Sequence, residues 1–318
     1  MSADTVAVLI EHREGEVAQP SLEALTLART LGEPVAVWLG REVLADAANL
    51  LGEYGATEVR VANIGDDARH PAKAAAVIQA ATKDADTVLM VSTFVNKEIA
   101  TRLALLTDAG VVVDAAGAER VDGKIEAVKT VFSATWNVRC RVDTKRAIVA
   151  LRPNTTQAVS IGPDTVAPVI DDVATDLPET LETVTKVEPV PPSEGVPLAE
   201  AAVVVAGGRG TGGDYTLIRE MVDLLGGAVG ASRDATDEGW ISHEHMVGQT
   251  GTTVTPALYV ACGISGAVHH RGGMQASGTV VAINMDPDAP IFEICDFGVV
   301  GSLFDVLPQA MEKIRAQR

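Results

Sequence analysis

Three glycines with the spacing of a phosphate-binding loop, Gly208-x-Gly210-x-x-Gly213, stand between a short apolar strand pattern and an amphipathic helix pattern. Glycines let main-chain N–H groups approach a pyrophosphate, and a helix N-terminus adds partial positive charge. Two features count against a nicotinamide dinucleotide. Arg209 is bulky inside the loop, and no acidic residue ends a second strand at the usual distance for holding a ribose. A tight strand–helix turn without a ligand is the alternative.

Two further turns combine small residues with polar side chains. Ser232 and Arg233 follow a glycine turn, and a hydroxyl beside a fixed positive charge suits a pyrophosphate or the negative charge of a reduced ring. Gln249 and Thr250 follow Gly248, so their amide and hydroxyl groups can approach a ligand closely. Taken singly, a solvated arginine is the simpler interpretation of the first turn, and an ordinary loop that of the second.

A fourth turn has the sequence GISGAVHH and feeds another helix pattern at residues 263–270. A Gly-Ser-Gly turn before a helix is an anion-receiving N-terminus, and a histidine there can lie beside a ligand ring. The candidate contacts are Ser265, Gly266, Ala267, Val268, His269 and His270. Partly exposed helical histidines without a ligand are the alternative. Neither Ser232 nor Ser265 stands in a G-x-S-x-G turn, so acyl transfer is not supported.

The histidines also invite a metal interpretation. On a strand, His243 and His245 would share a face, but no acid or cysteine stands at matching ligand spacing. The three cysteines, at positions 140, 262 and 295, form no CxxC pair. We therefore expect no metal site and no iron–sulfur cluster, and we expect reduced thiols.

The first half of the chain alternates strand and helix patterns. Strands are predicted at residues 6–10, 35–39, 57–61, 87–91 and 111–113, and helices at residues 21–31, 43–51, 71–83 and 94–106. Repeated βα units predict a parallel sheet covered on both faces. Between residues 117 and 150, short alternating runs around Gly123 predict antiparallel hairpins added to the sheet.

A proline-rich acidic stretch, residues 163–197, predicts a linker with one strand at residues 180–187. The α/β pattern then restarts, with strands at residues 202–206, 258–261 and 280–283 and near 292–295, and a last helix from residue 304. We therefore predict an α/β fold of two domains. Residues 1–192, which include the linker, form an N-terminal parallel-sheet domain with added hairpins, and residues 197–318 form a doubly wound C-terminal domain.

The charge balance is strongly acidic: 43 Asp and Glu face 25 Lys and Arg, a formal net charge of −18. Such a surface repels phosphate backbones and anionic lipid, so nucleic-acid and membrane-surface binding are not expected. Of the basic residues 8 are Lys and 17 Arg, which fits either a halophilic protein or an ordinary acidic cytosolic one. The first residues lead straight into a strand pattern and no apolar stretch is long enough to span a bilayer, so we expect a cytoplasmic protein.

The order of the turns is more specific than any one of them. The ordered runs are AGGRG at 206–210, VGASR at 229–233, VGQTG at 247–251, PALYV at 256–260, GISGA at 263–267, AINMDPDAPI at 282–291 and DFG at 296–298. Over roughly residues 202–314 this set resembles the C-terminal FAD domain of electron-transfer flavoprotein α subunits. The first half resembles that family in its α/β pattern and length.

The resemblance implies FAD as the cofactor and a heterodimer with an electron-transfer flavoprotein β subunit. It implies an electron carrier rather than an enzyme with its own substrate. Such a carrier takes electrons from acyl-CoA dehydrogenases or other dehydrogenases, as in fatty acid oxidation. It passes them singly, via an anionic semiquinone, to the membrane-bound quinone oxidoreductase of electron-transfer flavoproteins. Flavin-based bifurcation remains open, because that site lies in the other subunit.

The resemblance also assigns roles to residues. Arg209 contacts FAD, Ser232 bonds the pyrophosphate, and Arg233 lies near the flavin ring, where its charge favours the anionic forms. Gln249 and Thr250, with Gly248, line the isoalloxazine and ribityl region, and the Thr250 hydroxyl lies near N5.

Residues 265–270 wrap the phosphates and the ring, with His270 near the C2 carbonyl, where a protonated imidazole would add to anion stabilisation. Asn284 holds the adenosine end. Ser302 departs from the family, which often has an Asp at this position; a serine still hydrogen-bonds there but lacks the carboxylate charge.

Two alternatives stand beside this interpretation. An NAD-dependent dehydrogenase using the Gly208-x-Gly210-x-x-Gly213 loop would bind a nicotinamide cofactor with this chain alone. A nucleotide-sensing or scaffold protein would be colourless even when made with its genetic neighbour.

Overall fold

A computed structural model describes residues 4–132, 135–163, 168–173, 176–186 and 195–317. The chain divides into two compact units, one of residues 1–130 and 137–189 and the other of residues 131–136 and 190–318. The predicted domain boundary, residues 192–197, falls partly outside the described ranges. Within those ranges, no helix is both long and apolar enough to cross a bilayer.

The first unit is built on one large sheet. Its strands are β1 (Thr5–Ile10), β4 (Glu33–Gly40), β5 (Glu58–Asn63), β6 (Thr87–Val91), β7 (Gly110–Val121), β8 (Lys124–Val131), β9 (Trp136–Arg141), β10 (Ala147–Leu151) and β11 (Val169–Asp172), while β2 (His12–Arg13) and β3 (Glu16–Val17) pair separately. The order is β11-β5-β4-β1-β6-β10-β7-β8-β9, and the pairs from β11 to β7 are parallel.

Helices cover both faces of this sheet. They are α1 (Gln19–Leu31), α2 (Ala45–Glu53), α3 (Pro71–Ala81) and α4 (Phe94–Thr107). Leu25 of α1 and Leu51 of α2 belong to one buried cluster, and Ile78 of α3 and Leu103 of α4 belong to the cluster on the opposite face. The predicted parallel sheet covered on both faces is confirmed.

The predicted hairpin is also present. β7 and β8 pair antiparallel, with Val121 opposite Lys124. Asp122 and Gly123 between them have φ of 51° and 75°, the left-handed backbone that a two-residue turn needs to match the strand twist.

The strand predicted at residues 180–187 is wrong for the described part, since residues 180–186 contain no strand; residue 187 lies outside the described ranges. The linker instead supplies β11, which pairs in parallel with β5. A strand needs an open sheet edge, and β5 provides that edge to Val169–Asp172.

The second unit is a five-stranded sheet with helices on both faces. Its strands are β12 (Val203–Gly207), β13 (Ala228–Ala231), β14 (Leu258–Cys262), β15 (Thr279–Asn284) and β16 (Phe297–Val300), and its helices are α5 (Thr216–Leu225), α6 (Arg233–Asp237), α7 (Val268–Met274) and α8 (Leu303–Ala316). The order is β13-β12-β14-β15-β16, all parallel. Ile218 of α5 and Leu307 of α8 share one core cluster, and Met274 of α7 lies in the other, so the unit is doubly wound as predicted.

The strand predicted near residues 292–295 is wrong. Pro290–Glu293 form a 3-10 turn, and the strand is β16, beginning at Phe297. The segment is held as a turn because Ile291 is buried and its N–H donates to the Ser265 carbonyl oxygen at 2.9 Å.

Candidate functional site

The five parallel strands of the second unit end at one edge, and a predicted ligand-binding residue lies at the end of each. Arg209 follows β12 and Ser232 follows β13. Ser265 follows β14, Asn284 ends β15 and Ser302 follows β16. Ligands of open α/β sheets bind at this edge, where the strand order reverses. β12 lies between β13 and β14, so the reversal falls between the loops that follow β12 and β14.

The glycines of these two loops permit close contact between their main chains. The N–H of Gly210 donates to the Gly263 carbonyl oxygen at 3.0 Å. A Cβ at Gly208 would lie 2.4 Å from that oxygen, and a Cβ at Gly210 would lie 2.7 Å from the Gly263 Cα. Protein packing therefore explains the glycines at positions 208 and 210.

The start of α5 is capped from within the protein. The Thr216 N–H donates to the Asp214 carboxylate at 2.9 Å, and this bond lowers the pKa of Asp214. A dinucleotide fingerprint instead places a pyrophosphate at the helix N-terminus after the glycine loop, where a carboxylate would repel it. This geometry does not favour the NAD-dependent alternative.

The turn after β13 is fixed to the loop after β12. The Ser232 N–H donates to the Gly207 carbonyl oxygen at 2.9 Å, and the Ser232 hydroxyl accepts from the Ala235 N–H at 3.4 Å at the start of α6. Arg209 pairs with Asp234 at 3.1 Å. These contacts place Ser232 beside the crevice between β12 and β14.

Two arginines bring positive charge to this edge. The side chains of Arg209 and Arg233 are 69% and 66% exposed. Arg233 pairs with Asp237 one helical turn along α6, at 3.2 Å. Exposed pairs of this kind contribute little to stability, so these guanidinium groups can exchange their carboxylate partners for a ligand.

The loop that contains Gln249 and Thr250 lies against α7. The Gln249 N–H donates to the His269 carbonyl oxygen at 2.9 Å. A Cβ at Gly273 would lie 2.4 Å from the Gly248 Cα, so glycine at 273 is needed for this contact. Both polar side chains, Gln249 and Thr250, are exposed.

Four of the six predicted contacts at residues 265–270 are exposed and two are buried. Ser265, Ala267, Val268 and His269 are exposed, whereas Gly266 and His270 are buried. Gly266 has φ of 85°, and a Cβ there would lie 2.4 Å from the Ile291 nitrogen. The turn therefore requires glycine.

The His270 side chain points into the core, where it is 6% exposed and its Nε2 lies 2.9 Å from the Tyr259 hydroxyl. Burial lowers the pKa of His270 to about 4, against the opposing effects of the Val247 main chain and Asp234. His270 is therefore neutral at pH 7. The fixed positive charges among the predicted contacts are Arg209 and Arg233.

The two residues predicted at the adenosine end already take part in local structure. The Asn284 amide donates to the Ile264 carbonyl oxygen at 2.9 Å, which ties β15 to the turn after β14. The Ser302 hydroxyl accepts from the Phe304 N–H at 3.2 Å and caps α8. Accepting this bond leaves the Ser302 hydroxyl proton for a further partner.

The histidine pair considered for a metal lies in a 3-10 turn, His243–His245, and not on a strand. His245 Nδ1 lies 3.0 Å from the Val229 carbonyl oxygen and fastens the turn to β13. Across the described part of the chain, no group of three or more His, Cys, Asp or Glu side chains is arranged to hold a metal ion.

Three residues of this region were not predicted from the sequence. Asp234 pairs with Arg209, Asp214 caps α5, and Tyr259 meets His270. Tyr259 could have been found, because a tyrosine in an otherwise apolar strand needs a hydrogen-bond partner for its hydroxyl. The two aspartates carry no such signal among 43 acidic residues.

The donor set at this edge suits a flavin nucleotide. Phosphates bind guanidinium and hydroxyl groups, which Arg209, Arg233 and Ser232 supply. The carbonyls and ring nitrogens of a flavin accept hydrogen bonds, which Gln249 and Thr250 can donate. The chemistry of the residues present thus fits FAD.

Comparison with known proteins agrees with this geometry. The model of the "Electron transfer flavoprotein FAD-binding domain" matches residues 197–275, and that of the "Electron transfer flavoprotein domain" matches residues 6–177. A solved glycotransferase structure aligns with 100% of this chain and 94% of its own at a TM-score of 0.31 and 13% identity, too weak a similarity to carry an argument.

Relatives match over nearly the full length. "Electron transfer flavoprotein subunit alpha" of Mycobacterium leprae is 38% identical over 98% of both chains, and that of Bacillus subtilis is 34% identical over 98% of this chain and 97% of its own. "Protein FixB" of Clostridium saccharobutylicum is 34% identical over 98% of both. The chain therefore belongs to the electron transfer flavoprotein α-subunit family, and its second unit includes that family's FAD-binding domain.

Proposed function

We propose that this chain forms a heterodimer with an electron transfer flavoprotein β subunit and shuttles single electrons through FAD. In this role FAD passes through an anionic semiquinone. The donors are acyl-CoA dehydrogenases or other dehydrogenases, as in fatty acid oxidation. The acceptor is the membrane-bound quinone oxidoreductase of this family. The cytoplasm is the proposed location.

The observation that carries the proposal is the set of polar donors at the carboxyl edge of the second sheet. Arg209 and Ser232 follow β12 and β13, and Arg233 begins α6. Gln249 and Thr250 lie in the loop against α7. Ser232 is half-buried and the other four residues are exposed. All five lie within residues 197–275, which match the FAD-binding domain model.

We assign the phosphate end of FAD to Arg209, Ser232 and the turn at residues 265–268. The turn and the two loops are joined by hydrogen bonds between Gly210 and Gly263 and between Ser232 and Gly207, so these donors are held in a fixed arrangement. Such preorganisation lowers the entropy cost of binding a charged ligand.

We assign the ring end to Arg233, Gln249, Thr250 and His269, with His270 beneath them. When bound, FAD supplies the one-electron redox chemistry. Arg233 lowers the free energy of negative charge on the ring, and the Thr250 hydroxyl donates near N5. At the adenosine end, Asn284 shapes the turn it binds and Ser302 offers its hydroxyl proton.

The test is to co-express the chain with its β subunit, purify the complex and reduce it stepwise while recording absorption spectra. We expect a yellow heterodimer whose spectrum passes through the red anionic semiquinone. A colourless complex that binds NADH would overturn the proposal in favour of a dehydrogenase. A second flavin per heterodimer would add bifurcation to the proposed role.

The proposed domains are residues 1–192 and 197–318. Limited proteolysis of the complex followed by mass spectrometry tests the boundary. We expect the first stable cuts between residues 187 and 197, and a first cut elsewhere in the chain would contradict it.

A further inference from the structure

A tyrosine and a histidine form a buried pair between β14 and α7. Tyr259 is 0% exposed and His270 is 6% exposed. The Tyr259 hydroxyl oxygen lies 2.9 Å from His270 Nε2. The rings meet edge-on, with centroids 6.1 Å apart and planes at 61°.

The number of donors and acceptors in the pair indicates which group donates the hydrogen bond between Tyr259 and His270. A phenol has one proton to donate, and a neutral imidazole has one N–H and one bare nitrogen. Among the described residues, His270 Nε2 is the partner of the Tyr259 hydroxyl, and His270 Nδ1 has none.

If the Tyr259 hydroxyl donates to Nε2, one buried group, the N–H at Nδ1, is left without a partner. If instead Nε2–H donates to Tyr259, two are left, the hydroxyl proton and the bare Nδ1. Each buried polar group without a partner is unfavourable, so the first arrangement is preferred.

The groups around His270 have opposing effects on its protonation. The Val247 main chain and the charge of Asp234 both raise the pKa of His270. Burial outweighs both and lowers the pKa of His270 to about 4, so the ring holds one proton at pH 7.

We propose that Tyr259 is a positioning residue of the flavin site, which donates to Nε2 of His270 and fixes that ring as the neutral tautomer with its proton on Nδ1. This inference rests on the proposed function, because it acts through a residue placed beside FAD. His270 follows His269 in α7, and the His269 carbonyl oxygen accepts from the Gln249 N–H at 2.9 Å. By fixing the His270 ring, Tyr259 thus positions the turn of α7 that holds the loop of Gln249.

The first test reads the tautomer directly. The full chain in its heterodimer is labelled with ¹⁵N-histidine, and long-range ¹H–¹⁵N spectra are recorded at pH 7. The His270 signals are identified by their loss in His270→Gln. We expect the pattern of a neutral ring protonated on Nδ1, and Tyr259→Phe should change it to the Nε2–H form or an exchanging mixture.

Tyr215→Phe is the matched control, because Tyr215 is another buried tyrosine of the same unit whose hydroxyl donates to the Gly207 carbonyl oxygen at 3.0 Å. It should leave the His270 pattern unchanged. A wild-type His270 that is cationic or protonated on Nε2, or a pattern unaffected by Tyr259→Phe, would overturn the inference. The wild-type spectrum is decisive even where a variant fails to fold.

The second test asks whether Tyr259 acts on the flavin through His270. Midpoint potentials of the one-electron couple are measured for Tyr259→Phe, for His270→Gln and for the double variant. We expect the shift caused by Tyr259→Phe to be at least threefold smaller when His270 is already replaced. Equal shifts in both backgrounds would refute the positioning role. A heterodimer without flavin would refute the proposed function but leave the tautomer measurement intact.

Discussion

Arg233 is the residue whose charge matters most to the proposed redox role. Arg233→Ala should lower the potential of the first electron by roughly 30–60 mV, where about 59 mV is tenfold in a one-electron equilibrium. The effect is limited because the side chain is 66% exposed and solvent screens its charge. Potentiometric titration of the heterodimer, with the semiquinone yield recorded at each step, measures it.

Arg233→Lys is the control for this change, because it keeps the charge and removes the planar fork. Arg233→Lys should shift the potential by no more than about a third of the shift caused by Arg233→Ala. If Arg233→Ala titrates like the wild type, the electrostatic role is wrong.

The burial of His270 predicts a pH dependence of stability. Its pKa is about 4 in the folded protein and about 6.5 in an unfolded chain. As pH falls from 6.5 towards 4, the unfolded state binds a proton that the folded state does not, so stability falls. The full loss is about 3 kcal/mol, and it is absent above pH 6.5.

The measurement is the unfolding free energy of the wild type and of His270→Gln from pH 4 to 7.5. The gap between them should narrow as the pH falls, because the variant has no imidazole to protonate. His243→Gln, which removes an exposed histidine, serves as the control. A constant gap for His270→Gln would contradict the assigned burial.

At the scale of elements, the contact between α7 and the loop of Gly248 and Gln249 can be tested with two adjacent glycines. Alanine at 273 would bring its Cβ within 2.4 Å of the Gly248 main chain. Alanine at 272 would meet the Gln249 side chain, which is exposed and can move aside. Alanine stabilises a helix by about 1 kcal/mol relative to glycine. A glycine-to-alanine change in α7 is therefore destabilising only where the new Cβ meets an atom that cannot move aside.

Gly273→Ala should therefore destabilise the protein by about 1–3 kcal/mol and reduce FAD retention, as overpacking does. Gly272→Ala should change stability by less than about 1 kcal/mol. Urea unfolding and flavin content of the purified complexes measure both effects. Equal stabilities for the two variants would contradict this prediction, because the Gly248 main chain would then move aside as easily as the Gln249 side chain.

The elements themselves were largely predictable because most are ordinary amphipathic or buried segments. β6 matches its predicted residues 87–91, and α4 ends one residue beyond the prediction. The errors at residues 180–187 and 292–295 arose where tertiary contacts determine which segment forms a strand. β11 exists because β5 offers a free edge, and Pro290–Glu293 is a turn because Ile291 is tied to Ser265.

The candidate site was predictable as an ordered set of turns, since parallel strands bring their carboxyl ends together. The inward orientation of His270 and its bond to Tyr259 were not, because they depend on how α7 packs on β14. The capping of α5 by Asp214 was also hidden, and it is what separates this loop from a dinucleotide fingerprint.

At the scale of the whole molecule, the net charge of −18 predicts stability that rises with salt. Like charges repel in the compact state, and the Debye length falls from about 30 Å at 0.01 M to about 10 Å at 0.1 M and 3 Å at 1 M. We expect the urea midpoint of the heterodimer at pH 7 to increase from 0.01 M KCl upward.

The salt concentration at which the urea midpoint stops increasing distinguishes a halophilic protein from an ordinary acidic one. Screening alone is nearly complete within a few tenths molar, so an ordinary acidic protein should level off there. A protein adapted to high salt should gain stability beyond about 1 M and lose FAD in dilute buffer. A parallel series in sucrose stabilises by exclusion without screening and so isolates the charge effect. A midpoint independent of KCl would contradict a destabilising repulsion among the excess negative charges.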